Sequence, residues 1–103
     1  MAYTAIDNPE LYFGLNGTWE ESGDPTSGAT GTGATSTLAS DTTYLIACAN
    51  YGYGTANSFE FNFGSPAYAI TSGNADADDY GNLEYAVPSG YYALCTKNLA
   101  EYG

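Results

Sequence analysis

Phenylalanine returns at every second position in "NSFEFNFGSP" (residues 57–66), as Phe59, Phe61 and Phe63, with Glu60 and Asn62 between them. Side chains alternate across a strand with a period of two, so the three rings share one face and the polar pair the other. Gly64 and Pro66 then break the run. An antiparallel strand with one buried face is the form this pattern fits. Helical spacing is nearly absent elsewhere, and thirteen glycines and four prolines punctuate the chain at short intervals.

The same reasoning places further strands. "TYLIACANY" (43–51) has Tyr44, Ile46 and Cys48 on one side and Leu45, Ala47 and Ala49 on the other. Both faces are apolar, which predicts a strand lying centrally in a sheet or between layers. "NLEYAVP" sets Leu83, Tyr85 and Val87 together and stops at Pro88, and "SGYYALCTKNL" continues as a fourth strand from the Pro88-Ser89-Gly90 turn. In "NPELYFGLNGTWE" (8–20), Asn16-Gly17 lies between apolar segments. Both residues tolerate the positive φ of a type I′ turn, so a hairpin is expected there, with Trp19 as a core anchor. Two stretches read as surface loops: the Gly/Ser/Thr/Ala-rich residues 22–41, too poor in apolar area to offset their ordering entropy, and the acidic residues 71–82. Short strands at this spacing predict one all-β domain over residues 1–103, an antiparallel β-sandwich or jelly roll.

Charge narrows the function. Twelve acidic residues face one basic residue, Lys97, for a formal net charge of −11 over 103 residues, with no histidine. Nucleic acid needs lysine and arginine to displace counterions, and an anionic membrane surface repels such a chain. No run approaches the ~20 apolar residues of a membrane span, and the start "MAYTAIDNPE" lacks the basic-then-apolar pattern of a secretory signal. With hydrophobic residues at 44% and aromatics at 16%, the chain is too rich in rings to be disordered.

Catalytic chemistry finds little support. Serine and cysteine nucleophiles that depend on histidine are ruled out by composition. Lys97 reads as a lone surface charge. Glu20-Glu21 and Asp78-Asp79 are adjacent carboxylates, and strand neighbours point to opposite faces, so neither pair converges. The expectation is a protein that is not an enzyme. "NADADDYGN" offers Asp76, Asp78 and Asp79 as hard oxygen donors of the kind calcium takes, although the glycine and glutamate positions of an EF-hand are not matched; the plain alternative is an acidic turn. Cys48 and Cys95 fit no zinc spacing and form a disulfide only where strands bring them together. Asn16-Gly17-Thr18 matches a glycosylation sequon, but the turn explains it. Tyr51, Tyr53, Tyr80, Tyr91 and Tyr92 flank polar loops and are candidate binding residues, since exposed aromatics beside loops build protein- and glycan-binding surfaces.

Over most of its length the chain resembles a known family. "LYFGLNGTWEESGDPTSG", "YLIACANYG", "SFEFNFGSPAYAI" and "YAVPSGYYALCTKNL" resemble, in order and spacing from about Leu11 to Leu99, the SPRY-like, concanavalin-type β-sandwich domains of bacteriophage structural and tail-associated proteins. The "NFG…PSGYYALCTKNL" combination carries most of the likeness. Those domains begin with several strands upstream of the hairpin, so the resemblance implies the C-terminal half of a sandwich, finished by another chain, a second copy or further sequence. It also implies a virion or extracellular location. The chain would act there as a structural or adhesion module touching another virion protein or a host-surface glycan. The alternative is a self-assembling filament subunit that polymerises by β-strand addition.

Overall fold

The computed structural model describes residues 2–3, 10–39, 42, 44–49, 51, 54 and 56–102. Two small antiparallel sheets occupy its N-terminal third. In the first, β1 (Ala2–Tyr3) and β5 (Ser36–Thr37) flank β2 (Glu10–Tyr12), with Tyr3 opposite Leu11 and Leu11 opposite Ser36. In the second, β3 (Gly14–Leu15) pairs with β4 (Thr18–Trp19). The protein is therefore a small β-rich fold.

The expected hairpin is present. Asn16 and Gly17 both have positive φ, 50° and 79°, the geometry of a type I′ turn. Gly14 faces Trp19 across the ladder, and its bare Cα leaves room for the indole. Trp19 then meets Tyr12 edge to face at 6.4 Å between ring centroids, a favoured aromatic arrangement. Tyr12 and Tyr91 form the buried centre, with Trp19, Ala34 and Val87 packed against them. Trp19 thus anchors the core as its position predicts.

Alternation works on β2. Glu10 and Tyr12 share the inward face while Leu11 turns the other way, half-buried. The Tyr12 hydroxyl donates to Glu10 Oε2 at 2.9 Å, so the buried phenol and carboxylate satisfy each other. Burial pushes the Tyr12 hydroxyl above its ordinary value; a hydrogen bond with Ser27 opposes that, and Glu10 reinforces it. Its neutral form therefore adds stability below about pH 10, lost as pH rises through the raised value.

Residues 22–41 are less idle than their composition suggests. Two 3-10 turns, Glu20–Ser22 and Gly28–Thr30, fold the segment, β5 adds a strand, and Pro25 is buried. Main-chain bonds offset the small apolar gain: Asp24 N–H donates to Thr32 O at 2.9 Å and Thr35 N–H to Leu11 O at 2.8 Å. The Asp24 carboxyl is held below its usual value by the Thr26 hydroxyl and then the Thr26 amide.

The expected strands of the C-terminal half differ. Residues 44–49 and 56–63 join no ladder, and residues 82–88 contribute only the single bridge Asn74–Leu83. The expected fourth strand is not formed: residues 89–95 join no ladder, and "TKNLAEY" forms the helix α1 (Thr96–Tyr102). Lys, Leu, Ala and Glu favour helix, and Leu99 N–H donates to Cys95 O at 2.9 Å, closing its first turn. The apolar faces of residues 43–51 predict a central strand; among the described residues, 44–49 join no ladder and lie exposed. Thr43 and Asn50 of the expected strand 43–51, and the candidate Tyr53 beyond it, fall outside the described residues.

Glycine at position 33 is fixed by space as well as conformation. Its φ is 64°, and an added Cβ would stand 2.6 Å from Gly23 Cα and 2.7 Å from Glu21 O. Gly28, also at positive φ (57°), has open space. Gly28→Ala should therefore cost only the left-handed strain, about 1–2 kcal/mol, and Gly33→Ala clearly more, about 3 kcal/mol or above. Urea unfolding followed by Trp19 fluorescence measures both, and equal losses would contradict the packing described.

Candidate functional site

Two polar side chains set the geometry of the C-terminal half. Asp76 is buried in the 71–82 loop. Its Oδ1 accepts the amides of Asp78 (3.0 Å) and Tyr80 (3.0 Å), a local turn that positive φ at Asp79 completes. Its Oδ2 accepts the Ala93 amide (2.8 Å) and Asn98 Nδ2 (2.7 Å), reaching the strap before α1 and α1 itself. Asn98 Nδ2 also donates to Ala93 O at 2.8 Å. One carboxylate thus ties together a loop, the 91–95 segment and a helix. Burial pushes its pKa up, and the donors from Ala93, Tyr80, Asn98 and Asp78 outweigh that, leaving it below the ordinary carboxylate value.

Asn62 does the same for the aromatic run. Its Nδ2 donates to Asn82 O at 2.8 Å, and its Oδ1 accepts the Gly64 amide at 2.8 Å. Asn62 is thereby turned toward the 71–84 region, while Phe61 and Phe63 stack together, 5.8 Å apart and 3° from parallel. The buried phenylalanine face read from the sequence is not formed: Asn62 is the half-buried member of the run, and Glu60 is exposed like the rings. Phe59, Phe61 and Phe63 all remain exposed.

The second apolar segment is barer. Tyr44, Leu45 and Ile46 are 44%, 90% and 45% exposed, again alternating. Tyr44 is pinned through its hydroxyl, which receives the Ala39 amide at 2.7 Å. No backbone–backbone hydrogen bond joins 44–49 or 56–61 to another described residue. Both segments thus expose apolar side chains, as do Leu94 and Leu99.

The expected site residues fall into different places. Tyr51 is almost fully exposed and Tyr92 exposed. Tyr80 is half-buried, with Lys97 Nζ 4.8 Å from its ring centroid, a cation–π contact for the chain's single base. Tyr91 corrects the expectation of a surface residue: it is buried, and its hydroxyl donates to Pro25 O at 2.9 Å across 66 positions of sequence. Tyr53 lies outside the described residues. Of the calcium candidates, Asp76 directs both oxygens at N–H donors, while Asp78 is half-buried and Asp79 exposed. Among the described residues no group of three or more His, Cys, Asp or Glu could hold a metal ion. Cys48 and Cys95 are free thiols, one exposed and one half-buried, not the pair that converging strands would have made. The acidic neighbours lie in turns rather than on strands: Glu21 and Asp79 both have positive φ. No helix among the described residues is long and apolar enough to cross a membrane.

Sequence reasoning missed Asn62 and Asn98, and read Asp76 as a calcium ligand or a residue of an acidic turn, of which the structure shows the turn. The spacing of Asp76 to the amides two and four residues on is a turn signal that was available. Nothing local marks Asn98, because its partners lie 22 and five residues away. Compared with protein-family models, curated proteins and solved structures, the chain matches none.

Asp76 should behave as a structural anchor. Asp76→Ala leaves four donors without their acceptor and should cost about 3 kcal/mol or more. Because the folded pKa is depressed, the carboxylate stabilises the protein fully above about pH 4, and that contribution is lost as pH falls through the lowered value. Asp76→Asn should flatten the acid limb of a stability–pH curve measured by urea unfolding; a curve parallel to the parent's below pH 4 would refute the role.

Proposed function

We propose that the chain is a non-enzymatic contact module, an incomplete β-sandwich of the SPRY-like, phage-associated kind that another polypeptide finishes. The observation that carries this is the exposure of the apolar residues of 44–49 and 56–63, Leu45 and Phe59, Phe61 and Phe63 among them, on segments that join no ladder among the described residues. Its accessible surface is 7529 Å², against roughly 5,500 Å² for a compact monomer of this mass. Its radius of gyration is 14.6 Å, against about 13 Å for a 100-residue domain. A strand from a partner would pair with these segments and cover the rings. The resemblance supports a virion-associated or extracellular setting, where structure and adhesion are both contact functions.

Adhesion to a host-surface glycan and assembly into a filament differ in what they leave in solution. Size exclusion, electron microscopy and a glycan array on the full chain discriminate them. Oligomers or ordered polymers are the result expected from the exposed apolar segments, and a monomer with glycan hits would move the function to Tyr51, Tyr92 and the loops. Hydrolysis of an oligosaccharide by the chain, abolished by changing one carboxylate, would overturn the contact reading.

A further inference from the structure

We propose that Asn16 is a modification site: its carboxamide deamidates by ring closure with Gly17, and the hairpin turn and the Tyr85 ring hold that reaction back. The site lies beyond the contact reading and does not depend on it. Asn16 and Gly17 are exposed at the tip of the hairpin. Among the described residues, neither the Asn16 carboxamide nor the Gly17 amide has a hydrogen-bond partner. Glycine has no side chain to shield its nitrogen. The two reacting groups are adjacent, solvated and uncommitted.

The reaction needs only water and hydroxide. The Gly17 nitrogen gives up its proton to hydroxide and attacks Asn16 Cγ. The N–Cγ bond forms, the Cγ–Nδ2 bond breaks, and Nδ2 leaves as ammonia with a proton taken from water. Water then opens the cyclic imide. Attack at Cγ gives aspartate on the original backbone; attack at the main-chain carbonyl leaves Gly17 joined through Cγ, with one more backbone atom.

The fold opposes ring closure in two ways. Asn16 and Gly17 have φ of 50° and 79°, and a type I′ turn gives its first central residue a ψ of about +30°, which puts the Gly17 nitrogen roughly 150° from Cβ about the Cα–C bond. Closure needs the two eclipsed, at a ψ of about −120° that side chains rarely allow. Reaching it means rotating the Asn16–Gly17 peptide out of the turn. There Gly17 sits against Tyr85: an added Cβ would stand 2.8 Å from Tyr85 Cδ1 and 3.0 Å from Cε1. Aspartate tolerates the left-handed conformation as asparagine does, so that product keeps the hairpin. The lengthened product breaks the register of Gly14 with Trp19 and Leu15 with Thr18, and with it the edge-to-face contact of Trp19 and Tyr12.

The test incubates the full chain in mildly alkaline buffer, folded and in concentrated urea. Cleavage after Glu10 and Glu20 then releases the 11–20 peptide for mass spectrometry, and an aspartate-specific protease separates the two products. Deamidation at Asn16 is expected in both states, slower in the folded chain by about tenfold or more, because it waits on local opening. Tyr85 is exposed and outside the Tyr12–Tyr91 centre, so Tyr85→Ala and the milder Tyr85→Leu should retain Trp19 fluorescence while raising the folded rate several-fold. Equal rates in the two states, or an unmodified Asn16 in both, would overturn the proposal. Folded Tyr85 variants that keep the parent's rate would overturn the part given to that ring.

Discussion

The buried Asp76 carboxylate holds together what is ordered in the C-terminal half. Four N–H donors from three separate segments end on its two oxygens, and the strap through Ala93 carries Tyr91 into the core beside Tyr12. From there the Tyr91 hydroxyl reaches Pro25 O, which lies in the segment that closes back on β2 through β5. A chain with very few buried hydrophobics among its described residues, Tyr12, Tyr91 and Ala93, relies on such polar ties. The bonds to Asp76 from Ala93 and Asn98 and that from Tyr91 to Pro25 are buried, so each is costly to break, while Asn98 Oδ1 itself is buried without a partner.

That economy explains the exposed face. Small domains bury a modest share of their surface even when complete, and here much of the aliphatic and aromatic content sits on segments that the polar ties position but do not cover. Asn62 turns the 61–63 run so that its rings point outward as a stacked pair. Tyr44 anchors one end of 44–49 through Ala39, leaving Leu45 in water. Exposed apolar side chains on segments outside any ladder are what natural proteins avoid unless something else is meant to cover them.

Local chemistry was legible in the sequence and long-range pairing was not. The Asn16-Gly17 turn and the Trp19 anchor depend on a few neighbouring residues, and both are found; the alternation at Phe59–Phe63 predicted a buried face that needs a distant strand, and it is not formed. The sandwich depends on which strands meet, and an apolar run such as 44–49 states that it wants cover without stating from where. The end of the chain misled for a related reason: "SGYYALCTKNL" looks continuous, but helix-favouring residues take over at Thr96 once the backbone leaves the core. Residues 22–41 were underrated because their stabilisation comes from main-chain bonds and tight glycine contacts, which composition does not report. Asp76 was visible as an oxygen donor, yet whether an acid receives a cation or four amides is decided by residues up to 22 positions away.

The central claim is that polar ties order this chain while its exposed apolar segments await another polypeptide. Amide hydrogen exchange, resolved by residue at low and high protein concentration, tests it most directly. The amides of Tyr80 and Ala93, bonded to Asp76, should be protected at both concentrations, whereas those of residues 44–49 should exchange at nearly the free-peptide rate when dilute and slow down as the chain is concentrated. Strong, concentration-independent protection along 44–49, or unprotected amides at Tyr80 and Ala93, would contradict the account.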